Sequence, residues 1–152
     1  MIDEFLVIAE ELANRDPGRP KQASLRRATA TAYYAVFHAL CELCADELVG
    51  RTKPWGVYTP VYRSLDHRAA RHGLEQARKT GAVDPAVIAI SMSFAALQTA
   101  RIEADYIPSR FRFARQQVKD LIADARGAVE AIQTLPAAAR LELAVLFITK
   151  AR

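Results

Sequence analysis

The sequence predicts an all-α fold: one domain over residues 1–152, an up-and-down bundle of five to six helices. Three observations predict it. Apolar residues recur three and four positions apart in segment after segment, which places them along one side of a helix. Pro and Gly cluster between those segments and punctuate them. No stretch alternates apolar and polar residues as a half-buried strand would.

The first helix is read from Ile2 to Ala13, with Ile2, Phe5, Leu6, Ala9, Leu12 and Ala13 at helical spacing. Its acidic residues crowd the first turn, where the helix dipole favours them. Residues 14–20 hold two Pro and a Gly and form a turn. A central helix follows from about Lys21 to Val49, and Gly50 is its natural stop. Residues 51–60 carry two Pro, a Gly, a Trp and a Tyr, and are expected to be an irregular loop ordered by its aromatics. Pro60 then suits the first turn of a short basic helix from Val61 to about Arg78, closed by Gly81. Asp84-Pro85 reads as an N-cap followed by Pro at the first helical position. The helix it opens runs to about Tyr106, and Pro108 breaks it. An amphipathic helix then runs to about Thr134, with Phe111, Ala114, Val118, Leu121, Ile122, Ala125, Val129 and Ile132 in one sector. Pro136 starts a last helix, Ala137 to Lys150, apolar around much of its circumference and so expected to pack on two surfaces at once.

Composition narrows the function classes. Hydrophobic residues at 51% and charged residues at 25% are those of an ordinary globular domain. No unbroken apolar run of about 18 residues is present, so no membrane span is expected. The first residues lack a basic stretch followed by an apolar one, so no secretory signal is expected and the protein is read as cytoplasmic. Cys41 and Cys44 lack a second pair to complete a zinc site, and they read as small buried hydrophobes. No metal or cofactor is expected. The net charge of +4 is mildly basic, but residues 51–79 concentrate it, with seven Lys or Arg against Asp66 and Glu75.

The central helix carries the best-defined polar constellation. Leu25, Ala28, Ala32, Ala35, Val36, Ala39 and Leu43 share an apolar face; Arg27, Thr31, Tyr34, His38 and Cys41 lie opposite. Polar side chains on a buried helix need partners or line a cleft. Arg101 and Asp105, one turn apart on a later helix, are the expected partners, with the Asp105 carboxylate reaching across to His38 or Arg27. Arg27, His38 and Arg101 are the catalytic candidates: an imidazole for proton transfer, guanidinium groups for phosphate. Tyr62, Arg63, His67, Arg68 and Arg71 read as one side of a groove over the central helix. His67 and His72 are five apart and point to different sides, which does not suit a shared metal. Phe113, between Arg112 and Arg115, is read as a packed aromatic or a base-stacking one.

The stretch Arg26-Arg27-Ala28 followed by Tyr33-Tyr34-Ala35 and Phe37-His38-Ala39 resembles the signature helix of the HEPN superfamily, as does the later Arg101-x-Glu103-Ala104-Asp105-Tyr106. The resemblance spans about Ser24 to Leu135. It implies a helical bundle, often a homodimer, among RNA-cleaving toxins, defence proteins and non-catalytic partners of small nucleotidyltransferases. The hallmark of catalytic members, Arg-x4–6-His at the start of the long last bundle helix, is missing: no His follows Arg110, Arg112 or Arg115. The resemblance therefore implies a binding protein that engages RNA, a nucleotide or a protein partner, such as a nucleotidyltransferase or antitoxin. Arg27, Tyr34, His38, Arg63, His67, Arg101, Asp105 and Tyr106 are its binding candidates. The alternative is a metal-independent ribonuclease with a non-standard site.

Overall fold

The computed structural model describes residues 1–80, 84–108 and 112–149, and among them it contains helices and no strand. The helices are α1 (Ile2–Asn14), α2 (Gln22–Leu48), α3 (Trp55–Tyr62), α4 (His67–Thr80), α5 (Pro85–Tyr106), α6 (Arg115–Thr134) and α7 (Ala137–Ile148). The all-α expectation holds, with seven described helices in place of five to six. Two compact units are built from discontinuous chain: Met1–Val36 with Ser93–Val129, and Phe37–Met92 with Glu130–Arg152.

In the first unit, α1 buries Ile2, Leu6, Ala9 and Ala13, one residue per turn. Leu25, Tyr33, Phe94, Leu97, Val118 and Ile122 are fully or almost fully buried. The Tyr33 and Phe94 rings lie 5.4 Å apart. Burial of each large aliphatic or Phe side chain contributes about 1.5–3 kcal/mol. Polar ties fix the ends of the helices. The Asp16 carboxylate accepts the Lys21 amide at 3.1 Å, just before α2. The Arg115 guanidinium donates to the carbonyls of Asp16 and Gly18, which joins the start of α6 to the α1–α2 turn. Gly18 has φ +72°, a left-handed conformation that suits glycine.

The second unit holds the rest of α2. That helix stops where Gly50, at φ +93°, turns its amide back to the Ala45 carbonyl at 3.0 Å. Asp66 opens α4 by accepting the amides of Arg68 and Ala69 at 2.9 and 2.7 Å. Asp84 does the same for Ala86 at 2.9 Å and opens α5, with Pro85 as the first helical residue. The Arg140 guanidinium, early in α7, meets Glu47 and the Ile132 carbonyl. Helix α7 packs on α4, and it buries Leu143, Ala144 and Phe147. Gly73 makes room for it: a Cβ there would stand 2.5 Å from Cδ1 of Phe147. The other side of α7, with Leu141, Val145 and Ile148, is open to solvent.

Several expectations need correction. The segment 51–60 is not irregular throughout, because α3 begins at Trp55. Pro54 sets extended backbone at the helix entry, and Pro60 lies inside α3. The helix expected from Val61 to Arg78 is broken at residues 63–66, where Asp66 caps a new one. Helix α6 begins at Arg115, and the amide of Ala114 is held by the Gln117 side chain at 2.7 Å. Helix α5 is long and apolar enough, by length and composition alone, to cross a membrane, with a mean hydropathy of 1.3 over its best window. Ser91, Ser93, Gln98 and Thr99 interrupt its apolar residues, so the sequence shows no unbroken run there. Its Val87, Ile90, Phe94 and Leu97 are nonetheless fully buried in the protein. Gly81, Arg110, Phe111 and Lys150 lie outside the described residues.

Candidate functional site

The residues singled out in the sequence gather at two places. In the first unit, Arg101 of α5 donates from Nη2 to the Tyr34 hydroxyl of α2 at 2.9 Å. Its Nε stands 2.8 Å from the Asp105 carboxylate, which lies off the N–H direction, so this contact is an ion pair and not an aligned hydrogen bond. The guanidinium carbon is 5.8, 5.6 and 5.4 Å from the ring centres of Tyr33, Tyr34 and Tyr106. Arg101 therefore sits in an aromatic box with one carboxylate, and cation–π attraction adds to the hydrogen bond.

The expected reach of Asp105 to His38 or Arg27 is not what holds it: its ion-pair partner is Arg101, one turn back on the same helix. The tertiary link runs through Arg101 and Tyr34. Arg27 is exposed, and its neighbour Arg26 makes the long-range contacts. Arg26 donates to the carbonyls of Glu103, Ala104, Ile107 and Pro108 at 3.4, 2.6, 3.2 and 2.8 Å. A signal for this was present in the sequence. Helix α5 ends without a glycine stop, and Pro108 blocks the usual closure, so its last carbonyls need an outside donor.

The second place is in the second unit. His38 Nδ1 and the Tyr62 hydroxyl are 2.6 Å apart, with their rings nearly parallel and 5.9 Å between centres. The His67 ring packs on Phe37 at 4.1 Å. Helix α2 thus meets α3 through His38–Tyr62 and α4 through Phe37–His67. Burial lowers the His38 pKa below its ordinary value, and the nearby His67 lowers it further, so His38 is neutral at pH 7. Burial raises the Tyr62 phenol well above its ordinary range, with Cys41 and Glu42 adding to the effect. A protonated Tyr62 can give its O–H to Nδ1, which leaves the imidazole proton on Nε2.

Arg63 and Arg68 follow Tyr62 and His67 directly in the chain. Both are exposed, and neither is in an ion pair among the described residues. Arg71 is engaged by Glu75 at 3.0 Å, and His72 is exposed. No cluster of three or more His, Cys, Asp or Glu among the described residues could hold a metal. Cys41 and Cys44 are free and buried, and burial pushes both thiols up to about 12. Phe113 is half-buried, and its carbonyl accepts from the Gln22 side chain at 3.3 Å.

No family model, curated protein or solved structure matches this chain.

The Arg101 box uses its cation internally, on Tyr34 and Asp105, and has little left for a ligand. The His38–Tyr62–His67 centre combines a neutral imidazole, a protonated phenol and a second imidazole, and the exposed Arg63 and Arg68, without an ion pair among the described residues, follow Tyr62 and His67 in the chain. Such a set can bind an anion, and it can move a proton. Tyr62, read in the sequence as part of a groove over the central helix but not among the binding candidates, meets His38 of that helix directly.

Proposed function

We propose that this protein is a HEPN-like binding module that engages RNA through its second unit. The His38–Tyr62 pair and His67 form the centre of the site, and Arg63 and Arg68 supply positive charge for phosphate. The observation that carries the reading is the pairing of this polar centre with two exposed arginines that have no carboxylate partner among the described residues. Arginine suits that task because its planar fork matches phosphate geometry. A homodimer accords with the open apolar stripe Leu141, Val145 and Ile148 on α7, and a nucleotidyltransferase or antitoxin partner in the cytoplasm accords with the superfamily resemblance.

Fluorescence anisotropy with labelled RNA across a salt series tests the reading. Wild type binds with a log–log salt slope that reflects several phosphate contacts. Arg63→Ala and Arg68→Ala each weaken binding and flatten that slope. Absence of RNA binding near physiological salt removes the proposal.

A second reading is favoured by the two histidines of the centre. Two neighbouring imidazoles, His38 and His67, suit metal-independent RNA cleavage by general acid and base. Incubation with RNA in a chelator separates the readings: cleavage by wild type that is lost in His38→Ala makes the protein a ribonuclease, and intact RNA leaves it a binder.

A further inference from the structure

We propose that α3 is a stacking platform for single-stranded RNA: one base lies on the exposed Trp55 indole, and Lys53 and Arg63 hold phosphates to either side. The inference rests on the RNA-binding reading and names the strand state of that ligand. Trp55 is 76% exposed, an unusual state for so large an apolar side chain. It is nonetheless positioned. Its ring stands edge-on to Tyr58, with centres 5.2 Å apart and an interplanar angle of 84°. Tyr58 is buried and donates its hydroxyl to Asp46 at 2.9 Å, and Asp46 also takes Arg51 Nε at 2.7 Å. Tyr58 in turn stacks near-parallel to Tyr62 at 6.3 Å, and Tyr62 meets His38. Positions 55, 58 and 62 share one side of α3. An ordered row of rings therefore leads from the open end of the helix to the polar centre.

The charge around this row selects the ligand. Every charged residue from 48 to 65 is basic: Arg51, Lys53 and Arg63. Asp46 engages Arg51, while Lys53 and Arg63 are exposed and without an ion pair among the described residues. Trp55 and Arg63 are separated by about 12 Å of helix rise. A protein partner would look for a joined apolar patch. The other exposed apolar residue of α3, Val57, is 56% exposed but lies about 160° around the helix from Trp55, so the two do not join. A duplex keeps its bases stacked on one another and presents no free base to an indole. An unpaired strand offers both a base face and phosphates, which is the pattern of single-strand binding sites.

Trp55 is the only tryptophan in the chain, so its fluorescence reports on the platform directly. The full chain is titrated with oligouridylate of about ten nucleotides, within the usual site-size range, and with an RNA duplex of the same length. Indole emission is followed alongside the anisotropy of labelled RNA. The expected result is quenching by the single strand with the same midpoint as the anisotropy. Trp55→Ala weakens single-strand binding roughly 5- to 150-fold, the loss of one base–aromatic stack, and leaves duplex binding unchanged. Trp55→Phe, which keeps an aromatic face, recovers much of the affinity, and Lys53→Ala lowers the salt slope by about one. RNA binding that is undiminished in Trp55→Ala, without quenching in wild type, overturns the platform and leaves the RNA-binding reading standing. No binding of either RNA by wild type at about 0.15 M salt overturns both.

Discussion

Arg26 and Arg27 are adjacent in sequence and opposite in consequence. The Arg26 guanidinium closes the C-terminal end of α5 with four contacts to backbone carbonyls, while Arg27 is exposed. The perturbation is Arg26→Ala. Two of the contacts, to Ala104 at 2.6 Å and Pro108 at 2.8 Å, are short. A hydrogen bond from a charged donor contributes about 1.5–3 kcal/mol net. Water can take over the exposed Pro108 carbonyl, so its loss counts for less than that of the part-buried carbonyls. The favourable meeting of a cation with a helix C-terminus adds about 0.3–1 kcal/mol. A total of about 2–3 kcal/mol follows, which for a chain of this length lowers Tm by roughly 4–12 °C. Urea unfolding and thermal melts followed by circular dichroism measure it. Arg26→Lys, with one point charge and no fork, falls between wild type and Ala. Arg27→Ala is the internal control and stays within about 0.5 kcal/mol of wild type. Equal losses for the two alanine variants, or no loss for Arg26→Ala, would refute the assignment of the cap.

Stability also depends on pH through His38. Its pKa in the folded protein lies below its ordinary value of 6.5, so the unfolded chain binds more protons just below that pH. The His38 contribution is complete above about pH 6.5 and is lost as pH falls towards the folded pKa; urea unfolding from pH 5 to 8 shows this slope, and His38→Gln flattens it. A wild-type curve that rises as the pH falls through that window would contradict the sign. Gly73→Ala would gain up to about 1 kcal/mol in an unobstructed helix, but the new methyl meets Phe147. The variant is expected to lose about 1–3 kcal/mol through overpacking, and Phe147→Leu in the same chain restores most of it; a stabilised single variant would rule out the close contact. Cys41 and Cys44, as buried thiols raised to about 12, should resist a thiol reagent at pH 8 in the native protein and react promptly in denaturant. Stoichiometric labelling of the native state would disprove their burial.

Much of the architecture was legible because it depends on local rules. Asp84-Pro85, Gly50, Pro108 and Pro136 mark helix ends through backbone chemistry alone, and the structure places helix boundaries beside each of them. What stayed hidden depended on distant partners. The three breakers at 54, 56 and 60 outweighed the helical spacing of Trp55 and Tyr58, although Tyr58 is fastened to Asp46 on α2. Helical periodicity placed Arg27, Tyr34 and His38 on one stripe, but a wheel does not say what faces each residue. Tyr34 finds Arg101, His38 finds Tyr62, and Arg27 finds solvent. The Arg101–Asp105 pair was read correctly as neighbours, while its tertiary arm came from the arginine and not from the carboxylate.

The discontinuous make-up of both units has a consequence for synthesis. Neither unit is complete in a continuous piece of chain, because each begins before the other's later half has been made. On the ribosome, Tyr33 must wait for Phe94, and the notch at Gly73 stays empty until Phe147 emerges. At ordinary elongation rates these intervals last on the order of seconds, far longer than helix formation. The nascent chain therefore keeps these apolar segments uncovered for most of its synthesis, available to chaperones and to other nascent chains.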